Sequence, residues 1–406
     1  MKKRLLFAAL FSAALVSCTK DQVVEVQQDE IKFRVATENA TKASAVYCNN
    51  NEMASFKVWA KTSAGATHMN GDLIEYNNDG ETWDNKTAVR YWPNVETLDF
   101  YASVGADLNW DATKEVPATF NNFEVDEDVA EQIDLLYSVK KTQLKQTTAV
   151  TLNFRHALSQ IVFQAKNTHP NLYVKIKSVG VNNLYNSATF TFPALSTESN
   201  VEIDDQNTPN NTVITAGTQG SWNSYGEKTS DWTVTFDNLM PVAYSTTSAT
   251  NLTNTTFGIT DDENVSGVNP WKDVMILLPQ QVVAWNPNTI AKASSSTDSY
   301  FTLSCVFYNV VDAGKTGEDL YATSNLTALY GTDAAPATVT IPVPDITWEQ
   351  GKKYIYTFIF NTDTNGGYDP DGNEVLVPIK LDVDIDDFIP VTEEEVEMEK
   401  VPVPAP

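Results

Sequence analysis

The chain has 406 residues, with 53 acidic against 27 basic side chains and a formal net charge of −26 at pH 7. So acidic a surface argues strongly against binding to nucleic acids and to anionic lipids, because both carry charge of the same sign. The length is enough for two or three domains with hydrophobic cores of their own. Three cysteines are too few for a fold that depends on disulfide bonds.

The N-terminus has the layout of a bacterial secretion signal. Basic residues from Lys2 to Arg4 precede an apolar run from Leu5 to Val16, which is too short to span a membrane as a helix. The run stops at Ser17 and Cys18, the small residue and cysteine that lipoprotein signal peptidase accepts. We therefore expect residues 1–17 to be removed by cleavage between Ser17 and Cys18, and Cys18 to carry a lipid anchor. The alternative is an ordinary signal peptide beside a chance cysteine.

After a polar tether over residues 19–30, the first strand signal is Ile31–Val35, in which apolar and polar residues alternate. Ile31, Phe33 and Val35 share one face of this predicted strand. Beyond residue 43 the chain is a succession of short runs rich in Thr, Val, Tyr and Phe, separated by turn residues. These runs are Phe56–Ala60, Leu98–Ala102, Val150–Phe154, Ile161–Phe163, Tyr173–Ile176, Trp232–Phe236, Met275–Leu278, Tyr300–Phe307, Tyr354–Phe360 and Val375–Val383.

Many short strands with frequent turns predict an all-β protein of sandwich architecture. The sequence has no long segment with helical periodicity, although short helices are expected near residues 128–136. A polar stretch at 140–148 indicates a boundary. We therefore predict an N-terminal sandwich over 43–148 and a larger C-terminal sandwich over 149–390. Residues 391–406, which are rich in Glu and then in Pro, form a predicted tail.

Catalytic and metal-binding patterns are scarce. The three histidines lack zinc-ligand spacing, and the pattern around His156 favours a packed structural residue. Neither a nucleophile elbow nor a phosphate loop occurs, so we expect no enzymatic activity, no cofactor and no metal. The run 361–366 begins like a calcium loop, but Gly372 stands where the bidentate acid should be, which favours a hairpin turn over 369–373.

The remaining cysteines and the tryptophans leave alternatives open. Cys48 and Cys305 either pair across domains or are two lone buried thiols. Nine tryptophans could build an exposed sugar-binding platform, but most lie in or beside strand-like runs, which favours core packing. The residues alone therefore indicate a lipid-anchored, acidic β-protein with a binding, adhesive or assembly role at a surface.

Several motifs occur in order along the chain. Arg90–Asn94, with the sequence Arg-Tyr-Trp-Pro-Asn, is followed by Leu98–Ala102 and later by Leu152–Ile161. These motifs resemble the fimbrillin family of Bacteroidota surface lipoproteins, and Leu152–Ile161 resembles the family's most recognisable strand. Further segments follow in family order and are Asp134–Tyr137, Val179–Phe190, Leu277–Gln280 and Trp348–Tyr356. The resemblance spans nearly the whole chain and marks the fold, since none of these motifs is a catalytic signature.

The resemblance implies a subunit of a type V pilus, built from two transthyretin-like β-sandwich domains in tandem. Such subunits are exported as outer-membrane lipoproteins, and a trypsin-like surface protease removes an N-terminal strand. A strand of the neighbouring subunit then fills the groove, so that subunits join head to tail. The implied partners are other pilus subunits, the outer membrane, the protease and a receptor on a host or bacterial surface.

On this chain the resemblance assigns residues 18–42 to a lipidated propeptide. The family often has Thr-Arg-Ala at the cleavage site, and here Thr41 precedes Lys42 and Ala43, so cleavage is expected between Lys42 and Ala43. Arg34, inside the predicted strand, is the second choice. The alternative is that Lys42 is an ordinary loop lysine.

The resemblance also assigns two strand roles. The self-capping strand of the precursor would contain Ile31, Phe33 and Val35. The donor strand would come from the tail 391–406, whose five glutamates and three prolines also suit a solvated tail. Apolar tail residues that could enter a groove are Val391, Val396, Met398, Val401 and Val403.

Two functions follow from the sequence. The first is a structural and adhesive subunit of a cell-surface pilus, whose place as stem, tip or anchor is open. The second is a non-polymerising surface lipoprotein that binds a glycan or a host protein.

Overall fold

The chain folds almost entirely into β-strands. The computed structural model describes residues 29–37, 54–77, 82–197, 201–203, 212–214, 217–253, 274–361, 366–375 and 377–387. Its strands are β1 (Phe33–Thr37), β2 (Ser55–Thr62), β3 (Thr67–Asn77), β4 (Thr82–Asn85), β5 (Leu98–Val104), β6 (Asn109–Trp110), β7 (Ala118–Glu124), β8 (Leu136–Gln143), β9 (Val150–His156), β10 (Ser159–Asn167), β11 (Leu172–Tyr185), β12 (Ser187–Thr191), β13 (Val201–Ile203), β14 (Thr212–Ile214), β15 (Ser221–Asn223), β16 (Lys228–Val242), β17 (Thr250–Asn251), β18 (Met275–Leu277), β19 (Gln281–Val282), β20 (Tyr300–Val310), β21 (Leu326–Tyr330), β22 (Ala337–Pro342), β23 (Ile346–Thr347), β24 (Lys352–Phe360) and β25 (Ile379–Asp387).

Helical structure in these residues is confined to short 3-10 turns. The turns are Val129–Glu131, Ala293–Ser295, Gly317–Asp319 and Thr323–Asn325. The first lies in the segment where short helices were expected. Within the described ranges, no helix has the length and apolar character needed to cross a membrane. The predicted all-β fold is confirmed.

Seven strands of the first part of the chain close a barrel in the order β1-β4-β3-β2-β5-β8-β9. Neighbouring strands run antiparallel around this barrel except where β1 meets β9, and these two run parallel. Every second side chain of a strand points inward. The buried inward residues form one apolar cluster, which includes Ile31, Phe33, Phe56, Trp92 and Phe100.

The later strands form a β-sandwich of two sheets. One sheet has the order β17-β10-β24-β25 with β18 beside β10, and the other has the order β16-β11-β20-β21 with β22 beside β20. Phe301 of β20 packs edge-on against Phe163 of β10 and Phe358 of β24, and the ring centroids lie 5.5 Å apart in both pairs. These contacts fill the space between the two sheet faces, as a sandwich core requires.

A four-stranded sheet, β15-β12-β7-β6, joins the barrel to the sandwich. Strands β6 and β7 lie in the chain between barrel strands β5 and β8, whereas β12 and β15 lie in the sandwich part of the chain. Phe190 of β12 packs on Tyr137 of β8, with ring centroids 4.8 Å apart. A second apolar cluster, larger than the one inside the barrel, therefore extends across the junction of the two parts.

The sheets divide at a different place from the predicted domains. We predicted domains over 43–148 and 149–390, yet the barrel includes β1 and also extends through β9. The segment Leu152–Ile161 was interpreted as one strand, and this is wrong. It contains β9 and the start of β10, joined by the buried residues Ala157 and Leu158. The local pattern already separates the runs Val150–Phe154 and Ile161–Phe163, and the family resemblance alone joined them into one strand.

An ion pair is built into the barrel wall. Asp72 of β3 is only 1% exposed, and Arg90 donates to its two carboxylate oxygens from Nε at 2.7 Å and from Nη2 at 3.0 Å. Asn85 donates a third bond at 2.9 Å. Burial acts to raise the pKa of the Asp72 carboxyl, but the bonds from Arg90 and Asn85 outweigh it and hold the pKa below its usual value.

We expect Asp72→Asn to lower the free energy of unfolding at neutral pH by about 2 kcal/mol, because the charge-assisted bonds from Arg90 are lost. The folded-state pKa lies below the unfolded value of about 3.9, so the carboxylate stabilises the fold above that value. This contribution is lost as the pH falls through the folded-state pKa. Urea unfolding should therefore show a smaller difference between variant and wild type in acid than at neutral pH.

The control is Asp107→Asn, because the ion pair between Asp107 and Lys57 lies on the surface. An exposed pair contributes less than about 1 kcal/mol. Equal losses of stability in the two variants would contradict a special role for the Arg90–Asp72 pair.

Candidate functional site

The candidate site is the slot between β4 and β9 that residues 29–37 occupy, called here the N-terminal strand slot. On one side β1 pairs with β9 in parallel register, from Phe33 opposite Val150 to Thr37 opposite Phe154. On the other side a single residue pair, Phe33 opposite Trp83, joins β1 to β4. Strand β1 is therefore paired along its whole length with β9 but at a single position with β4.

The inward side chains of this segment belong to the barrel core. Ile31 is 3% exposed and Phe33 is 4% exposed, and the half-buried Val35 packs against the same cluster. The Phe33 ring meets Phe100 edge-on with centroids 5.6 Å apart, and it meets Phe56 at 6.3 Å. Burial of an Ile or Phe side chain contributes about 1.5–3 kcal/mol, so the segment is strongly held by its side chains.

The motif Arg90–Asn94 holds the residues just before β1. The backbone N–H of Ile31 donates to the Arg90 carbonyl at 2.8 Å, and the Trp92 N–H donates to the Asp29 carbonyl at 3.0 Å. The Trp92 ring is buried and meets Phe100 edge-on at 5.9 Å. The family motif Arg90–Asn94 therefore holds residues 29–31 in place through backbone hydrogen bonds. The sequence did not reveal this role.

An ion pair between Lys145 and Asp29 also holds the start of the segment 29–37. The Lys145 ammonium lies 3.3 Å from the Asp29 carboxylate, and Lys145 stands in the loop between β8 and β9. The pair connects the start of the N-terminal segment to the loop that leads into its ladder partner. Because both side chains are about one-third exposed, its contribution to stability is small.

Arg34, the second-choice cleavage residue, lies within the ladder of β1. It stands opposite Thr151 of β9, and its Nη2 donates to the Thr151 Oγ1 at 3.1 Å. Proteases cut most readily in exposed, unpaired chain. The pairing of β1 with β9 therefore shields the Arg34 peptide bond, which weakens Arg34 as a cleavage site.

The other predicted processing and donor residues lie outside the described residues. They are Ser17, Cys18, Lys42, Ala43, Val391, Val396, Met398, Val401 and Val403. Cys48, the candidate disulfide partner of Cys305, also lies outside them. Cys305 of β20 is fully buried, and burial raises the pKa of its thiol well above the usual value. A buried neutral thiol is a poor nucleophile and metal ligand, so Cys305 is a core residue.

The histidines make local contacts. His156 Nδ1 lies 2.7 Å from an oxygen of the buried Asp134, and His68 Nε2 lies 3.0 Å from the Tyr91 carbonyl. His169 accepts a hydrogen bond from a backbone N–H two residues later. In the part of the chain that the structure describes, no three metal-ligating side chains come together.

The geometry gives the slot one chemical capability, which is to bind an extended strand. A strand in the slot gains main-chain hydrogen bonds along β9, and apolar side chains at alternate positions enter the core. An empty slot would expose an unpaired sheet edge beside the apolar surface that Phe33 now covers. The slot thus has the properties of a strand-binding groove that is filled by the chain's own segment.

Comparisons with known proteins agree with the motifs. A fimbrillin-like family model matches residues 34–374. The chain is similar in structure to a fimbrial protein from Bacteroides vulgatus, with 15% sequence identity and a TM-score of 0.45 over 89% of this chain and 99% of that one. It is also similar to the tip fimbrial protein of Porphyromonas gingivalis with C-terminal truncation, with 10% identity and a TM-score of 0.34 over 82% and 93% of the two chains. No curated protein matches the sequence. Since the family match covers most of its length, the chain belongs to the fimbrillin-like family.

Proposed function

We propose that this chain is a structural and adhesive subunit of a cell-surface type V pilus, polymerised by strand exchange at the N-terminal strand slot. The observation that carries this proposal is the position of β1. It closes the barrel through a parallel ladder with β9, and a single residue pair joins it to β4. Membership of the fimbrillin-like family supports the same assignment. The role is structural, and we assign the chain no catalysis.

The precursor reaches the outer membrane as a lipoprotein with its acyl chains on Cys18. Several acyl chains give a lasting anchor, because each buried CH2 contributes about 0.8 kcal/mol. During export, the segment 29–37 fills the slot of its own chain and keeps the sheet edge covered. A covered edge prevents premature pairing between subunits.

A trypsin-like surface protease then cuts after Lys42. This residue lies between the end of β1 at Thr37 and the start of β2 at Ser55. A cut there separates the segment 29–37 from the body of the subunit without breaking its ladder with β9. Release of the segment afterwards requires only the loss of noncovalent contacts.

The replacement strand comes from the tail 391–406 of a neighbouring subunit. In this tail Val396 and Met398 are two residues apart, and so are Val401 and Val403. The spacing matches that of Ile31, Phe33 and Val35, which is the period of a strand with one buried face. Head-to-tail repetition of this contact gives an open filament. The surface of this filament binds receptors on host or bacterial cells.

The cleavage step is tested with the lipid-free chain that starts at residue 19, treated with a trypsin-like protease. We expect a new N-terminus at Ala43 and SDS-resistant ladders on gels, because strand-exchanged subunits dissociate slowly. Lys42→Ala should abolish both, whereas the control Arg34→Ala should leave both unchanged. Ladders from uncut protein, or no cut between residues 38 and 53, would refute the proposed order of events.

The donor strand is tested by replacing Val396 and Met398 together with Ala. The double variant should fold and be cut normally but form at least about tenfold fewer ladders, because the side chains that enter the groove are truncated. Glu397→Gln, between the two positions, is the matched control and should polymerise like wild type. Unchanged ladders after deletion of residues 391–406 would rule out this tail as the donor.

The capping role of β1 is tested with Phe33→Ala in the uncut chain. The free energy of unfolding should fall by about 3 kcal/mol, because a buried aromatic ring is lost from the barrel core. Lys32→Ala, on the outward face of the same segment, should change it by less than about 0.5 kcal/mol. After the cut, the Phe33→Ala protein should form ladders faster than wild type, and slower ladder formation would contradict a capping strand.

A further inference from the structure

A shallow cleft of about 340 Å³ lies at the junction of barrel and sandwich, away from the residues of the N-terminal strand slot. Its volume falls within the range of small-molecule sites. We propose that this cleft binds a neutral sugar ring. The residues that carry the proposal are Gln219, Trp222, Tyr225, Gln281, Thr347 and Glu349.

Trp222 and Tyr225 offer fixed aromatic surface to the cleft. The Trp222 ring packs on Phe190 with centroids 5.0 Å apart, and its Nε1 donates to the Ala157 carbonyl at 2.6 Å. The Tyr225 hydroxyl donates to the Pro279 carbonyl at 2.5 Å. The polar atoms of both rings are therefore engaged with the protein, and both rings remain half-buried. A pyranose has a face of C–H bonds that stacks on such a ring surface.

The polar side chains around these rings fall into two groups. Gln280 and Gln350 are engaged in the fold, since Gln280 accepts from the Tyr185 N–H at 2.9 Å and Gln350 donates to the Gly220 carbonyl at 2.7 Å. Within the described residues, four others in the cleft make no side-chain hydrogen bond, and these are Gln219, Gln281, Thr347 and Glu349. Amides, a hydroxyl and a carboxylate supply both donors and acceptors, which suits the mixed hydroxyl rim of a sugar.

The negative charge of the cleft favours neutral sugars over anionic ones. Among the lining residues, Glu349 alone carries a charge at neutral pH, and the whole chain carries a net charge of −26. An anionic sugar such as a sialic acid would meet repulsion without a cation to pair with it. A neutral hexose meets no such penalty, and the Glu349 carboxylate accepts hydrogen bonds from its hydroxyls.

The cleft is held in place by contacts that do not involve β1. Gln350 accepts a hydrogen bond from the Tyr137 hydroxyl of β8 at 3.0 Å, which ties the cleft to the barrel wall. Trp222 is fixed through Ala157, in the crossing from β9 to β10. The binding site is therefore complete in the uncut chain and is independent of polymerisation.

The test uses the uncut full-length mature chain and saturation-transfer NMR with three probes, the methyl glycosides of galactose, glucose and mannose. We expect transfer to the ring C–H protons of at least one probe, with a Kd of the order of 1 mM, as befits a ligand of this size. The methyl glycoside of sialic acid should receive none. No transfer to any of the three neutral probes, or transfer to sialic acid alone, would overturn the proposal.

Variants locate the site. Gln281→Ala and Glu349→Gln should each weaken binding about fivefold, the effect of one lost hydrogen bond, with an unchanged melting temperature because neither side chain bonds within the described protein. Gln146→Ala is the matched control, since Gln146 donates only to the Thr148 carbonyl in a distant loop. Unchanged binding in the Gln281→Ala/Glu349→Gln double variant would show that the sugar binds elsewhere and would overturn the proposal.

Discussion

The pairing of β1 with β9 is the contact on which the barrel depends. It pairs residue 33 with residue 150. Without β1, the barrel would be an open sheet with β4 and β9 as its edge strands. The same strand supplies Phe33 to the centre of the barrel core. Among the described strands β1 is the first, and residues 38–53 lie between it and the region of β2. These features suit the proposed exchange of β1, because noncovalent contacts alone would hold it in the sheet once its connection to β2 is cut.

The contacts that join the barrel to the sandwich do not involve β1. The sheet β15-β12-β7-β6 combines strands from the barrel part and the sandwich part, and the large core cluster spans both. Tyr137 links the two through Phe190 and through its hydrogen bond to Gln350. Neither Ile31 nor Phe33 belongs to this large cluster, and both pack in the smaller barrel core.

The sequence predicts what depends on local pattern. Alternation at Ile31, Phe33 and Val35 correctly indicated a strand with one apolar face. Pairing between distant segments leaves no such signal, because backbone hydrogen bonds place no requirement on side-chain type. For that reason the backbone hydrogen bonds between residues 90–92 and residues 29–31 were not predicted. The position of Trp222 beside the cleft was not predicted either, because it lies outside the strand-like runs that the sequence shows.

Under the proposed function, covalent connectivity controls strand exchange in the slot more than contact energy does. While the segment 29–37 is joined covalently to its own barrel, its binding to the slot is intramolecular and is favoured by a high effective concentration. A donor with similar contacts cannot compete at cellular subunit concentrations. A cut between β1 and β2 removes the tether, so the released segment is diluted away while donor strands remain covalently attached to whole subunits. In the proposed mechanism, cleavage of one peptide bond therefore sets the direction of assembly, even if the two strands bind the slot equally well.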